Sequence, residues 1–198
     1  MNKPSRDTLE PRPSFDESIL KIEGDEVVRA IQVSPLNEFR FRDFCNENGF
    51  VNYLPLQRSW KIHNFTSKGK AYNYSKAVLR PMFPSYVFVK TKVENLRTLF
   101  DSKVLVRFLQ PPNQAAFLEE IRTVRIAELV GLQDELKIHA DIPEGAHFLI
   151  QSGVWEGVTG WLSHKDGLYK WTVRIEFVDQ LITASIDPTQ YKMMRLDK

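Results

Sequence analysis

Hydrophobic positions divide the chain into two styles. Val27–Val33 (VVRAIQV) reads as a strand. Ser34-Pro35 then offers a helix N-cap and a first-turn proline. Leu36, Phe39, Phe44 and Cys45 recur at nearly helical spacing until Asn48-Gly49, a left-handed stop. Residues 50–56 (FVNYLPL) predict a second strand, and the polar, basic residues 57–77 a long excursion before a third strand at 86–90. A short helix over 94–101, a fourth strand over 104–109 and a longer helix over 113–130 complete the order β-α-β-β-α-β-α. This order predicts an α+β unit: an antiparallel sheet with helices packed on one face, the ferredoxin-like split βαβ arrangement.

Beyond this unit the helical periodicity fades, and residues 133–143 read as a polar linker ending in proline. The style then changes to short strands over 147–151, 158–163, 169–177 and 181–186. Ser152-Gly153, Glu156-Gly157 and Lys165-Asp166-Gly167 separate them as turns. Strands of this number and length predict a small SH3-like β-barrel. The proline- and charge-rich residues 1–26 predict a mobile tail, so the expected division is tail 1–26, first domain 27–132, linker 133–143 and barrel 144–198.

Composition narrows the classes. Of 198 residues, 42% are hydrophobic and 26% charged, which argues against wholesale disorder. No apolar run is long enough to span a bilayer, and the N-terminus lacks a signal peptide's apolar core, so the expected location is cytoplasmic, with no membrane partner. The single cysteine, Cys45, cannot form an internal disulfide and reads as a small buried hydrophobe. Catalysis finds little support: His63, His139, His147 and His164 are scattered, and no CxxC, HxxxH or phosphate-cradling glycine loop occurs. The expectation is a non-enzymatic protein with no cofactor, no metal and no catalytic residues. Glu119-Glu120 reads as solvated charge on a helix face.

Three stretches carry chemistry that suits binding. In Phe83-Pro84-Ser85-Tyr86-Val87-Phe88-Val89, Pro84 biases Phe83 toward an extended conformation and a strand follows. Tyr86 and Phe88 share one face and Val87 and Val89 the other, so the strand must bury both faces or present one to a partner. Arg58, Lys61, Lys68, Lys70, Lys76 and Arg80 interleave with Trp60, Tyr72 and Tyr74. That composition suits phosphate contacts plus base stacking, or equally a solvated, flexible hairpin with scattered lysines. Finally, Gly153, Gly157 and Gly160 suit positive φ and close backbone approach at a barrel corner, a structural role.

Tyr53-Leu54-Pro55, the FPSYVFVK stretch at residues 83–90 and the GVWEGVTG turn at residues 153–160 together resemble the NusG family, an N-terminal NGN domain followed by a KOW domain, over residues 27–194. The resemblance implies a monomeric transcription elongation factor. Phe83, Pro84 and Tyr86, with Phe88 and Phe117, would line an aromatic pocket that grips the clamp helices of RNA polymerase. Arg40 and Arg42 would add contacts to the non-template DNA strand beside Arg58, Trp60, Lys61, Lys68, Lys70 and Lys76. Phe148, Ile150, Phe177 and Val178 would face a KOW partner, in this family a ribosomal small-subunit protein or the Rho terminator. Two departures stand out. The aromatic pair usual in the first strand is replaced by Val28-Arg29, and the phenylalanine-glycine-arginine turn that helps contact Rho is Val178-Asp179-Gln180. The second departure argues against Rho and for a specialised, RfaH-type antitermination paralogue acting on particular operons. The alternatives are a general NusG-like factor coupling polymerase to Rho or the ribosome, and an RNA-binding KOW protein. A switch of the last domain into helices is disfavoured by the strand-forming Thr172, Val173 and Ile175.

Overall fold

The computed structural model describes residues 14–67, 69–133, 136–139 and 144–197, an α+β protein with antiparallel sheets and few helices. Strand β1 (Val27–Val33) lies inside a four-stranded sheet of order β2-β5-β1-β6, with β2 at Asn52–Tyr53, β5 at Tyr86–Thr91 and β6 at Leu105–Leu109. Its pairings with β5 and β6 are both antiparallel. Because β1 and β5 carry apolar residues at consecutive positions, both faces of the sheet need cover. On one face Val28, Ala30 and Phe88 pack with Phe117, Ile121, Val124 and Ala127 of α3 (Gln114–Gly131). On the other, Ile31, Val33, Val87 and Val89 pack with Phe41 and Cys45 of α1 (Glu38–Glu47) and Leu99 of α2 (Leu96–Phe100). The expected placement of all helices on one face is therefore corrected: α3 lies opposite α1 and α2. Cys45 is fully buried, and burial pushes its thiol up to about 12, so it acts as a core hydrophobe.

Helix α1 starts later than its sequence signal. Ser34 donates from its amide and its hydroxyl to the Val104 carbonyl (2.8 and 3.2 Å), which ties β1 to the start of β6 instead of capping a helix. Leu36 sits at φ 66 and is 94% exposed, and Asn37 takes the N-cap place without a side-chain bond. The first helical residue, Glu38, turns inward and accepts a hydrogen bond from the Ser85 amide at 2.7 Å.

Part of the expected mobile tail is packed. Asp16 caps a 3-10 turn at Glu17–Leu20, Ile19 of that turn is fully buried, and Phe15 meets Tyr53 edge-on at 4.8 Å. The residues read as an excursion form a hairpin, one of the two forms weighed for this stretch, with β3 (Leu56–Ser67) and β4 (Lys70–Pro81) in continuous register from Leu56↔Pro81 to Ser67↔Lys70. These two strands form a sheet of their own.

The C-terminal strands make a six-stranded antiparallel sheet of order β12-β8-β9-β10-β11-β7. Its members are β7 (Lys137–His139), β8 (Ala146–Ile150), β9 (Thr159–Lys165), β10 (Leu168–Ile175), β11 (Gln180–Ile186) and β12 (Met193–Arg195). Strand β7, inside the stretch read as a linker, pairs with β11 through Ile138↔Ile182. Trp155 and Trp171 are the largest fully buried side chains among the described residues, and they share this sheet's core with Ile150, Val158 and Val173. Gly160 is required by contact: a Cβ there would lie 2.5 Å from the Thr172 carbonyl oxygen and 2.8 Å from the Trp171 ring. Gly157 is required by conformation, at φ +82. Among the described residues no helix is long and apolar enough to cross a membrane.

Candidate functional site

The segment before β5 is pinned from three directions. Met82 donates to the Pro55 carbonyl at 2.8 Å, the Ser85 carbonyl accepts from Val33 at 2.8 Å, and the Ser85 amide is held by Glu38. Ser85 itself adopts φ 69, the left-handed turn that reverses the chain into β5. The expected alternation follows, with Val87 and Val89 buried in one core and Phe88 in the other.

The residues expected to grip the polymerase meet with very different exposures. Phe88 is 1% exposed at the centre of an aromatic cluster, 6.0 Å from Tyr53, 5.7 Å from Phe117 and 6.1 Å from Phe177. Phe83 and Phe117 are buried too, Tyr86 is half-buried and Pro84 is exposed. The cluster is closed by a residue from the C-terminal sheet's side of the chain. Phe177, in a 3-10 turn at Glu176–Val178 after β10, packs on Phe117 at 4.8 Å and edge-on against Tyr86 at 6.2 Å. Two sites that the sequence treated separately thus cover each other.

Glu120 fixes that closure. Its carboxylate accepts from the Phe177 amide at 3.2 Å. Burial pushes its carboxyl above the ordinary range against the lowering effect of that bond, and neighbouring Glu176 pushes the same way. The solvated reading fits only Glu119, which is exposed and paired with Arg122. The signal for Glu120 was available, since it stands one helical turn after Phe117 and so shares its side of α3.

Of the other residues expected to meet a partner through the C-terminal sheet, Ile150 is fully buried and can touch none. Phe148 and Val178 are half-buried and pack, like Phe177, against the shared core. Hydrophobic composition could not separate a strand's outer face from its inner one here, because Phe148 and Ile150 both contribute to the same core.

The basic patch is split by the hairpin's pleat. Residues paired across the ribbon lie on one face, so Lys61, His63, Phe65, Tyr72, Tyr74, Lys76 and Arg80 share one side. Arg58 and Trp60 lie on the other, where the guanidinium sits 4.6 Å over the indole. Lys70 is exposed near the tip, and Lys68 lies outside the described residues. Arg40 and Arg42 belong to α1. Arg40 is exposed, whereas Arg42 is bound to Asp43 at 2.7 Å and lies 5.2 Å over the Phe39 ring.

Sequence reading missed what holds the hairpin. Glu128 of α3 is fully buried and accepts from the Leu56 amide at 2.7 Å and the Tyr53 hydroxyl at 3.0 Å, and it pairs with Arg125. Burial holds the Glu128 carboxyl above its ordinary range, and burial together with the Glu128 charge raises the Tyr53 phenol well above its own. This buried acid clamps the first residue of β3 to the body, so the ribbon leaves from a fixed base.

No family model matches the sequence, and no curated protein matches it either. Among solved structures, it is similar to chains in the crystal structures of an MjSpt4:Spt5 complex. For conformation B the identity is 14% and the TM-score 0.27, covering 87% of this chain and 99% of that one. For conformation A the identity is 14% and the TM-score 0.26, covering 85% and 99%. Likeness of that degree does not establish a shared fold.

Proposed function

We propose that this protein is a non-enzymatic transcription elongation factor, an NGN domain joined to a KOW domain, that binds RNA polymerase through the FPSYVFV strand and suppresses pausing or termination. The observation that carries this reading is the single aromatic cluster in which Phe88 and Phe117 pack on each other and, with Tyr86, around Phe177. The residues that resemble a polymerase-gripping pocket come together from β5 and α3, next to a turn held by Glu38 and Pro55. Phe177 occupies that cluster in this conformation, so engagement of the polymerase requires the 3-10 turn to withdraw. A factor that binds the elongating polymerase better than the paused one shifts the enzyme toward elongation without chemistry of its own.

The specialised-paralogue reading rests on the turn at Val178-Asp179-Gln180. Asp179, at the place of the glycine in the resembled turn, stands at φ 50, ψ 47, a left-handed conformation, and its carboxylate pairs with Arg174 at 2.6 Å. An internally paired acid in place of the glycine, followed by Gln180 in place of the arginine, is a poor match to Rho.

Retention of purified RNA polymerase on immobilised full-length protein tests the proposal. Phe177→Ala is expected to retain at least as much polymerase as wild type, and Tyr86→Ala less. Failure of both wild type and Phe177→Ala to retain polymerase overturns it. Retention of Rho by the same column would move the reading to a general coupling factor.

A further inference from the structure

A groove of about 1370 Å³ opens between the root of the β3–β4 ribbon and the outer face of the C-terminal sheet. That is larger than the ~300–1,000 Å³ of an ordinary small-molecule cleft, so a chain-like ligand enters it without rearrangement. The cross-strand partners Gln57 and Arg80 line it from the ribbon's side. The opposite lining follows from the alternation of β10 and β11. Trp171 and Val173 point into the core with Ile182 and Ala184, so Lys170, Thr172, Thr183 and Ser185 point the other way.

The polar groups that meet there do not satisfy one another. Arg80, Lys137, Lys165 and Lys170 all line the groove, and among the described residues none of the four has a carboxylate partner, although the exposed Glu144 and Asp166 line it too. Lys170 donates to the Ser185 hydroxyl at 2.7 Å and keeps two further donors. Exposed lysines alone are usually solvated charge. Gln57 is a different case: it is 6% exposed, and among the described residues its side-chain amide makes no hydrogen bond. A buried amide without a partner costs stability, so its place beside Arg80 is explained by a group that enters the groove. Thr172 is buried as well, sharing a hydrogen bond with the Thr183 hydroxyl at 2.8 Å, and that hydroxyl meets His139 Nε2 at 3.0 Å.

Guanidinium, ammonium, amide and hydroxyl groups turned to one space match an anion rich in acceptor oxygens, and phosphate presents several on each phosphorus. Among the described residues no phenylalanine, tyrosine or tryptophan lines the groove, so nothing there stacks on a base. We infer that the groove is a binding site for a short phosphate chain, with Gln57, Arg80 and Lys170 contacting its oxygens. The chain is either inorganic polyphosphate or the phosphates of a nucleotide whose base stays outside. Because Gln57 and Arg80 belong to the ribbon and Lys170 to the C-terminal sheet, a bound chain ties the two together. The groove shares no residue with the cluster of Tyr86, Phe88, Phe117 and Phe177, so this site and the proposed function can fail separately.

Isothermal titration calorimetry of full-length protein at fixed ionic strength, with tripolyphosphate, ATP and orthophosphate as probes, tests it. Tripolyphosphate is expected to bind saturably, about ten-fold or more tighter than orthophosphate, and to raise the melting temperature. Arg80→Gln, Lys170→Gln and Gln57→Leu should each weaken it roughly five-fold or more, as loss of a hydrogen bond to a charged group does. Arg97→Gln, which removes an exposed cation of α2 outside the groove, should leave it unchanged. Tighter binding of ATP than of tripolyphosphate identifies a nucleotide as the source, and equal or weaker binding a free phosphate chain. Absence of saturable tripolyphosphate binding at millimolar concentration, no preference over orthophosphate, indifference to Arg80→Gln and Lys170→Gln, or an equal loss in Arg97→Gln each overturns the inference. The wild-type preference and the exposed Arg80 site keep the test decisive even if Gln57→Leu fails to fold.

Discussion

Strand β5 and the β3–β4 ribbon are neighbours in sequence, both rich in aromatic residues, and they meet opposite fates. In β5 the alternation of Tyr86, Val87, Phe88 and Val89 is read by two cores at once, and Phe88 is 1% exposed. In the ribbon an equally regular alternation finds, among the described residues, no layer on either side beyond its base, and its rings remain half-exposed. A two-stranded sheet is marginal alone in water. This one persists because Glu128 fixes its root and cross-strand ring pairs stiffen its outer half. Aromatic residues in a strand are therefore core or contact surface according to what lies above and below them.

The comparison is broken most directly by truncating one ring from each region. Phe88→Ala should lower unfolding stability by about 3–5 kcal/mol, the usual cost of emptying a buried phenylalanine site, measured by denaturant titration. Glu128→Gln tests the joint between the regions. Because burial raises the Glu128 pKa above its unfolded value, the folded state holds the extra proton across that window, and this contribution is lost as pH rises through the folded pKa. Glutamine carries no such titration. Melting temperatures compared between mildly acidic and neutral pH should therefore move in the variant's favour as pH rises, and parallel profiles would contradict this. The smallest effect belongs to the ribbon: Tyr74→Ala should change stability by no more than ~0.5 kcal/mol, because no core lies beneath it. A cost comparable to that of Phe88→Ala would mean that the ribbon is packed in solution.

Much of this was legible in sequence, where local rules act alone. The strand at Val27–Val33, the long helix ending in Gly131 and the two-faced β5 follow from apolar spacing. The glycines at the C-terminal sheet's turns follow from backbone conformation and close contact. The misreadings share a different cause. Ser34-Pro35 looked like a helix start, but the serine's donors were taken by Val104, 70 residues away. Residues 14–26 looked like tail, but Phe15 and Ile19 find Tyr53 and the α3 face. In the candidate site, Glu120 reads as a solvated acid and Glu128 carries no distinguishing signal until the fold sets the Phe177 and Leu56 amides against them.

By itself, then, the sequence determined where β1, β5 and the body of α3 form, which strand must be covered on both faces, and that residues 56–81 carry cations without acids. These depend on period, composition and backbone sterics, all local along the chain. Only the tertiary structure decided that α3 lies opposite α1, that Phe177 closes the aromatic cluster and that a buried carboxylate anchors the ribbon. Those outcomes depend on which distant groups meet, because desolvation and hydrogen bonding act between residues that only folding brings together.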